Sequence, residues 1–416
     1  MNLPSTTILD FDAALAAVFA RAAQVHPEQT ESRALLDCLS RTLAETVAAD
    51  RDQPPFNRST RDGFAIRSAD AAPHPTTELT LVGQIRAGQK WSGKPLAPGT
   101  AIEIMTGAAV PEGADAVVMV EHVERTDNTI RIAQGRALSP GENIVPRGAE
   151  AHAGDLLFSP GTILQAAHIA LAAACGRGRL TVFRRPTVAI VATGDELVDL
   201  ATTPAPHQIR NSNSHALAAL VAGAGGDPMR QPIAPDRKQE LEDIIRKARS
   251  ADLLLLTGGV SVGAYDLVEE VLLSLGAEFF FTGVRMQPGK PVVFGRLPAS
   301  GDLPSRFFFG LPGNPISTQV TFHCFVEPML RALSGAGLHS PHFVQATLAE
   351  DVPGNPGLTR VLPAHLTSDR ICPSVKRIGW HGSGDLAANA RANCYVVLPP
   401  DRTNFAAGDV VTVLLR

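Results

Sequence analysis

The spacing of apolar positions divides the chain before any motif is considered. In residues 10–25, DFDAALAAVFARAAQV, the apolar residues Phe11, Leu15, Val18 and Phe19 recur at helical spacing. SRALLDCLSRTLAETVA (32–48) continues that period and predicts a second helix. The pattern breaks at DRDQPPFNRSTRDGFAI, where Pro54-Pro55 and Asp62-Gly63 punctuate the chain. Residues 77–134 alternate as short strands, and DAVVMVEHVERTDNTIRIA predicts a hairpin turning at Thr126-Asp127-Asn128. An irregular Gly/Pro-rich stretch, GENIVPRGAEAHAGDLLFSPGTIL, leads to the helical pattern QAAHIALAAACG.

From about residue 186 the rhythm changes to continuous apolar runs alternating with helices. PTVAIVATGDEL predicts a buried strand, a turn and a helix start. SNSHALAALVAGAGGD and RKQELEDIIRKARS predict helices, DLLLLTGG a second buried strand and YDLVEEVLLSLG another helix. RFFFGLPGNP predicts a third strand with a Gly/Pro loop, and ISTQVTFHCFVEPMLRAL a closing helix. This alternation predicts a doubly wound, mostly parallel α/β domain over roughly 181–333. From about residue 340 to NFAAGDVVTVLLR the pattern returns to short strands, as in a small β-barrel or sandwich.

Composition narrows the class. The 416 residues are 44% hydrophobic and 19% charged, enough apolar material for several cores. A formal charge of −4 gives no basic footprint for nucleic acid. Five scattered cysteines without a C-x-x-C pair suit reduced thiols better than a disulfide framework or zinc site. No signal-peptide pattern and no span-length apolar run occur, so the expected location is the cytoplasm, without membrane contact.

Candidate chemistry gathers on three glycine-bearing loops that leave predicted strand ends: ATGDEL (192–197), TGGVSVGAYD (257–266) and GLPGNP (310–315). In open α/β sheets ligands bind beyond the carboxyl ends of strands, where glycine admits the backbone close to a phosphate. Taken singly, Thr193-Gly194-Asp195-Glu196 is also a helix cap and Pro312-Gly313-Asn314-Pro315 a tight turn. Glu196, Asp195, Asp236 and Asp266 could supply oxygen ligands to Mg²⁺, although Asp236 and Asp266 also stand where caps occur. MQPGKP (286–291) presents Lys290 as a compact oxyanion donor. In the β-rich segment, Asp62-Gly63 and Thr106-Gly107 are turn signals.

Gly259-Val260-Ser261-Val262-Gly263 also fits G-x-S-x-G, the hydrolase elbow. A nucleophilic Ser261 needs its strand to run almost into it, and Thr257-Gly258-Gly259 intervene. His323 lies in an apolar helical pattern that suits a packed core histidine. Ser261 is therefore expected as a hydrogen-bond donor in a ligand cradle, with no labelling by a covalent serine probe.

The stretches PPFNRSTRDGFAIR, IMTGAAVPEGADAVV, GENIVPRGAE, TGDEL, IRNSNS, TGGVSVGAYD, MQPGKPVVFG and GLPGNPIS, in this order, closely resemble the molybdopterin molybdenumtransferases, the MoeA-type family that includes the E domain of gephyrin. The resemblance covers almost the whole chain. It implies a multidomain α/β plus β protein: an N-terminal linker domain from 1–47 and 143–180, an inserted β-rich domain at 48–142, a doubly wound molybdopterin-binding α/β domain at 181–334 and a C-terminal β-barrel at 335–416. It further implies a homodimer whose site lies between the α/β domain of one subunit and the β-rich domain of the other.

The implied substrates are molybdate and adenylylated molybdopterin. The adenylate is cleaved with Mg²⁺, AMP leaves, and molybdenum reaches the dithiolene sulfurs. The resemblance matches Asp62, Thr106, Glu196, Asp236 and Asp266 to functional positions, expected as catalytic, and the last three are also the carboxylates expected to hold Mg²⁺. Substrate binding falls to Thr193, Gly194, Asp195, Gly258, Gly259, Ser261, Gly263, Gln287, Lys290, Pro312, Gly313, Asn314 and Ser383. Of these, Ser383 is carried over from the family's motifs, the loop residues enter as the phosphate cradle, and Asp195 and Lys290 enter on local chemistry. Gln287-Pro288-Gly289-Lys290 stands where many relatives have Lys-Pro-Gly-Lys, removing one positive charge; Arg61, Asn57 and Arg210-Asn211 are further departures. A separate molybdopterin adenylyltransferase would supply the substrate, and molybdoenzymes or their chaperones would receive the product. The rival classes are a nucleotide-handling enzyme sharing only the α/β module, which the preceding 180 residues argue against, and a molybdopterin carrier or scaffold.

Overall fold

The computed structural model describes residues 7–71, 77–259, 267–368, 370 and 372–416. They form two compact units: Met1–Ala44, Pro160–Gln165 and Arg179–Arg416 make one, and Glu45–Ser159 with Ala166–Gly178 the other.

The Glu45–Ser159 unit is built on six strands: β1 (Gly63–Ile66), β2 (Thr77–Ile85), β3 (Thr100–Ile104), β4 (Ala116–Met119), β5 (Val123–Thr126) and β6 (Thr129–Ile132). They order β4-β1-β3-β2-β6-β5, antiparallel except for β2 with β3. The expected hairpin is present: Thr126 pairs with Thr129 across Asp127-Asn128. Alternation sends Phe64 and Ile66 into one core and Ala65 with Ile102 into another, so both faces of β1 are buried.

In the larger unit, α1 (Phe11–Ala22) is the helix that the spacing predicts. The predicted helix over 32–48 is absent. Thr30–Ala34 is a strand paired antiparallel with Arg179–Phe183, a 3₁₀ turn covers Leu35–Cys38, and Ser40 turns the chain at φ 61°. Partners far along the sequence claim the backbone here: Thr42 and Leu43 bridge Ile163 and Val182. Helical spacing yields to that long-range pairing, and Leu36 stays 81% exposed.

The α/β sheet contains β7 (Thr187–Ala192), β8 (Asp227–Arg230), β9 (Leu253–Thr257), β10 (Glu278–Phe281), β11 (Val293–Leu297) and β12 (Arg306–Leu311). Its order is β8-β7-β9-β12-β11-β10; the first four run parallel, and β11 and β10 are antiparallel additions. The strands are apolar on both faces because both faces are covered. Val188 and Ile190 pack with α1, α2 (Ser212–Gly223) and the helices after β12; Ala189 and Val191 pack with α3 (Lys238–Ala248) and α4 (Leu267–Ser274). Phe294 and Phe309 stack at 4.5 Å between ring centroids. Each such buried ring contributes about 1.5–3 kcal/mol.

The helical pattern after Gly313 is interrupted once. α5 (Pro315–Thr321) passes through a π turn at Phe322–Val326 into α6 (Glu327–Leu333). Pro328 has no N–H for the Cys324 carbonyl, so the ladder widens ahead of it.

In the C-terminal region β13 (Phe343–Leu348), β14 (Thr359–Thr367), β15 (Ser374–Arg377), β16 (Cys394–Leu398) and β17 (Val410–Leu415) close a barrel in the circuit β14-β15-β13-β17-β16-β14. Residues such as Leu362, Val396 and Val413 fill it. A short helix, α7 (Leu386–Arg391), carries an Asp385 cap that accepts from Ala388 N at 2.9 Å. Among the described residues no helix is long and apolar enough to cross a membrane.

Gly295 lies in β11 where β10 and β12 converge, and a β-carbon there would collide with the Glu278 carbonyl and the Phe308 ring. Gly295→Ala is expected to cost about 1–3 kcal/mol through overpacking. Chemical denaturation should show a lower midpoint at unchanged slope. An unchanged midpoint would mean that the Phe308 ring gives way freely.

Candidate functional site

Register brings Ala192, Thr257 and Leu311 into one row at the carboxyl ends of β7, β9 and β12. The chain leaves β7 toward β8 on one side while β9 follows on the other, so the strand order reverses there, which is where open α/β folds bind ligands. A cleft of about 780 Å³ opens beyond this row.

Thr193, Glu196, Gly258, Gly259, Pro312, Gly313 and Asn314 line the cleft. Gly258 has φ +89°, and a β-carbon on it would overlap the Thr193 carbonyl oxygen. Glycine is required there by both backbone angle and space. A methyl on Gly313 would stand 3.6 Å from the Gly258 Cα, so the loops after β9 and β12 lie against each other.

The ATGDEL segment does not start a helix. Gly194 turns at φ +146°, and Leu197–Val198 pairs in parallel with Ile209–Arg210. The Ile209 N–H donates to the Glu196 carbonyl at 2.8 Å. The backbone is thus committed to a small ladder, and helix α2 begins only at Ser212, with Asn211 capping the Ser214 N–H at 3.1 Å. Glu196 is exposed, and its carboxylate folds back over Gly194.

Asp236 is not the cap of α3, whose N-cap is Arg237. Its Oδ1 instead accepts the Thr193 hydroxyl at 2.9 Å, while its own N–H donates to Asp195 Oδ1 at 3.2 Å. Thr193 is 2% exposed, and Thr193 bridges Ala234 in parallel. Thr193 therefore aims Asp236, and Asp195 braces the loop.

Gln287 lies on the short strand Met286–Gln287, which pairs with β14 and sets Gln287 opposite Arg360; Asn355 Nδ2 donates to Gln287 Oε1 at 3.4 Å. Lys290 is exposed, and its neighbour Pro291 lines the cleft. Ser383 accepts the Ile316 N–H at 2.9 Å through its carbonyl, and the adjacent Gly384 lines the cleft. Ser261, Gly263 and Asp266 lie outside the described residues.

Asp62 and Thr106 meet in the β-rich unit. Asp62 Oδ1 accepts the Thr106 N–H at 2.6 Å and the Thr106 hydroxyl at 2.8 Å. The backbone N–H first, and the hydroxyl second, hold the Asp62 carboxyl below its ordinary value, so it is ionised at neutral pH.

Two residues that contact candidate site residues have no counterpart in the sequence reading. Asn213 reaches from α2 to both neighbouring loops, and Arg360 faces Gln287 across the strand pair. Asn213 lay within the quoted IRNSNS, but no spacing rule singles out which asparagine turns inward. Arg360 is brought near only by a strand pairing across some seventy residues of sequence.

Comparison with known proteins fits this architecture. In chain order, residues 9–176 match the MoeA N-terminal region (domain I and II), 189–332 the probable molybdopterin binding domain, and 345–415 the MoeA C-terminal region (domain IV). The molybdopterin molybdenumtransferase of Staphylococcus epidermidis is 36% identical over 383 residues, covering 91% of this chain and 89% of its own. That of Nostoc sp. is 38% identical over 395 residues, covering 93% and 89%. Crystal structures of the molybdopterin biosynthesis MoeA protein from Pyrococcus horikoshii superpose with TM-scores of 0.73 at 30% identity and 0.81 at 27% identity. Both cover 98% of this chain and nearly all of theirs. With that agreement over most of its length, the chain belongs to the molybdopterin molybdenumtransferase family, the MoeA-type enzymes of molybdenum cofactor biosynthesis.

Proposed function

We propose that the chain transfers molybdenum from molybdate to adenylylated molybdopterin, cleaving the adenylate in a Mg²⁺-dependent step and releasing AMP. The observation that carries the reading is the cleft at the carboxyl ends of β7, β9 and β12, where glycine backbone and the Glu196 carboxylate stand together. Gly258 and Gly259 allow a phosphate close approach, and the first residues of α2, Ser212 and Asn213, bring a helix amino end to the same cleft.

The donor set suits Mg²⁺. Glu196 offers an exposed carboxylate, and Asp236 keeps Oδ2 free of the Thr193 hydroxyl that holds Oδ1. Among the described residues no three His, Cys, Asp or Glu side chains cluster, and Mg²⁺ is commonly held by one or two carboxylates plus water and phosphate. Glu196 and Asp236 would hold the ion, with Asp266 as a third ligand; when bound, it neutralises the charge that develops on the phosphates. Thr193 keeps Asp236 oriented, and Asp195 keeps its loop in place. Asp62, ionised and fixed by Thr106, acts in the same reaction. Gln287, Lys290 and Ser383 contribute to holding the anionic substrates.

The acting form is proposed as a cytoplasmic homodimer. A separate molybdopterin adenylyltransferase supplies the substrate, and molybdoenzymes or their chaperones take the product.

Purified protein given adenylylated molybdopterin, Mg²⁺ and molybdate is expected to release AMP and to reconstitute a molybdenum-free apoenzyme. Substrate binding without molybdate-dependent AMP release would refute transfer and favour a carrier. Asp62→Ala and Glu196→Ala should each lower the rate of AMP release roughly a hundredfold while far-UV circular dichroism stays unchanged. Full activity in both would place the site elsewhere. EDTA should abolish the reaction and excess Mg²⁺ restore it; turnover that persists in chelator would remove the metal from the scheme.

A further inference from the structure

The loops after β9 and β12 carry much of the cleft, and each ends a strand with little side chain to anchor it. Asn213, in the first turn of α2, supplies the anchor. Its Nδ2 donates to Thr257 Oγ1 at 3.1 Å and to the Gly313 carbonyl at 2.7 Å. The Gly313 carbonyl can only accept, so the amide nitrogen, not its oxygen, faces the loops. Both amide hydrogens are thereby used.

The clamp continues on either side. Thr257, 1% exposed, passes its own hydroxyl hydrogen to the Pro312 carbonyl at 3.4 Å. Thr318 donates to the same carbonyl at 2.5 Å and to the Asn314 carbonyl at 3.1 Å. Capping does not occupy Asn213, since Asn211 already closes the end of α2. One side chain thus joins a helix start to the ends of two adjacent strands, at the point where Gly258 and Gly313 lie side by side.

We propose that Asn213 is a positioning residue that fixes the spacing of the two glycine loops and so sets affinity for the substrate's phosphate-bearing portion. The proposal rests on the transferase reading for its substrate, but the clamp itself can be read without one.

The test compares Asn213→Ala, which deletes both donors, with Asn213→Asp, which places an acceptor against the Gly313 carbonyl. In substrate-free protein, hydrogen–deuterium exchange should quicken in 257–259 and 310–314 together, more in the Asp variant than in the Ala variant. KM for adenylylated molybdopterin should rise roughly fivefold to tenfold in Asn213→Ala, the worth of about one hydrogen bond, and further in Asn213→Asp, with kcat within roughly threefold. If the Asp variant does not fold, Thr257→Val takes its place. Asn213→Ala combined with Thr257→Val should then raise KM by less than the product of the two single effects. Unchanged exchange in both segments overturns the clamp. A lower KM in Asn213→Asp than in Asn213→Ala overturns it too, because the amide oxygen would then be the group that matters. Failure of wild-type turnover with loosened loops in the variants would count against the transferase reading alone.

Discussion

The Thr193 backbone lies so close to Gly258 that no β-carbon fits between them, and the cleft takes its shape from that contact. Parallel pairing of β7 with β9 delivers Thr193 and Gly258 to the same level, and the Thr193 N–H closes on the Thr257 carbonyl at 3.0 Å. With side chains excluded at this point, the polar backbone of the strand ends faces the open volume. Thr193 then serves a second purpose on its side-chain edge by turning Asp236. The glycine wall of the cleft and the orientation of the Asp236 carboxylate are therefore set by one residue from two different atoms.

Rigidity beneath the cleft comes from having both faces of the sheet covered. Alternating residues of β7 feed two separate cores, so a shift of one residue in register would exchange their occupants. Phenylalanines concentrate in β10, β11 and β12, where Phe281, Phe294, Phe308 and Phe309 are fully buried. β10 and β11, at one side of the sheet, extend this packing beyond β12.

The α/β portion was legible in the sequence because local period and tertiary role agree there: continuous apolar strands, amphipathic α3 and glycines at strand ends all point the same way. The glycine loops and Glu196 could be placed by the rule that ligands bind beyond carboxyl strand ends. Legibility failed where a local pattern competed with distant partners. The apolar period over 32–48 is helical, but Arg179–Phe183 and the Ile163 region pair with that stretch and override it. Asp236 precedes a helix and reads as a cap, whereas a threonine forty-three residues earlier engages it instead. Asn213 shows the same limit, since its partners are a hydroxyl at the end of one strand and a carbonyl in the loop after another, which only the fold makes neighbours.

The two-residue strand Met286–Gln287 has a mechanical meaning. It belongs to the segment between β10 and β11 of the α/β sheet, yet its hydrogen-bonding partner is β14 of the barrel. The barrel circuit is otherwise closed, so this splice joins a stiff cylinder to a segment that runs on to Pro291 at the cleft wall. Displacing the cylinder would drag Gln287 with it, as a rod moves a crank. Packing changes inside the barrel, remote from the cleft itself, thereby acquire leverage over the position of its wall at Pro291.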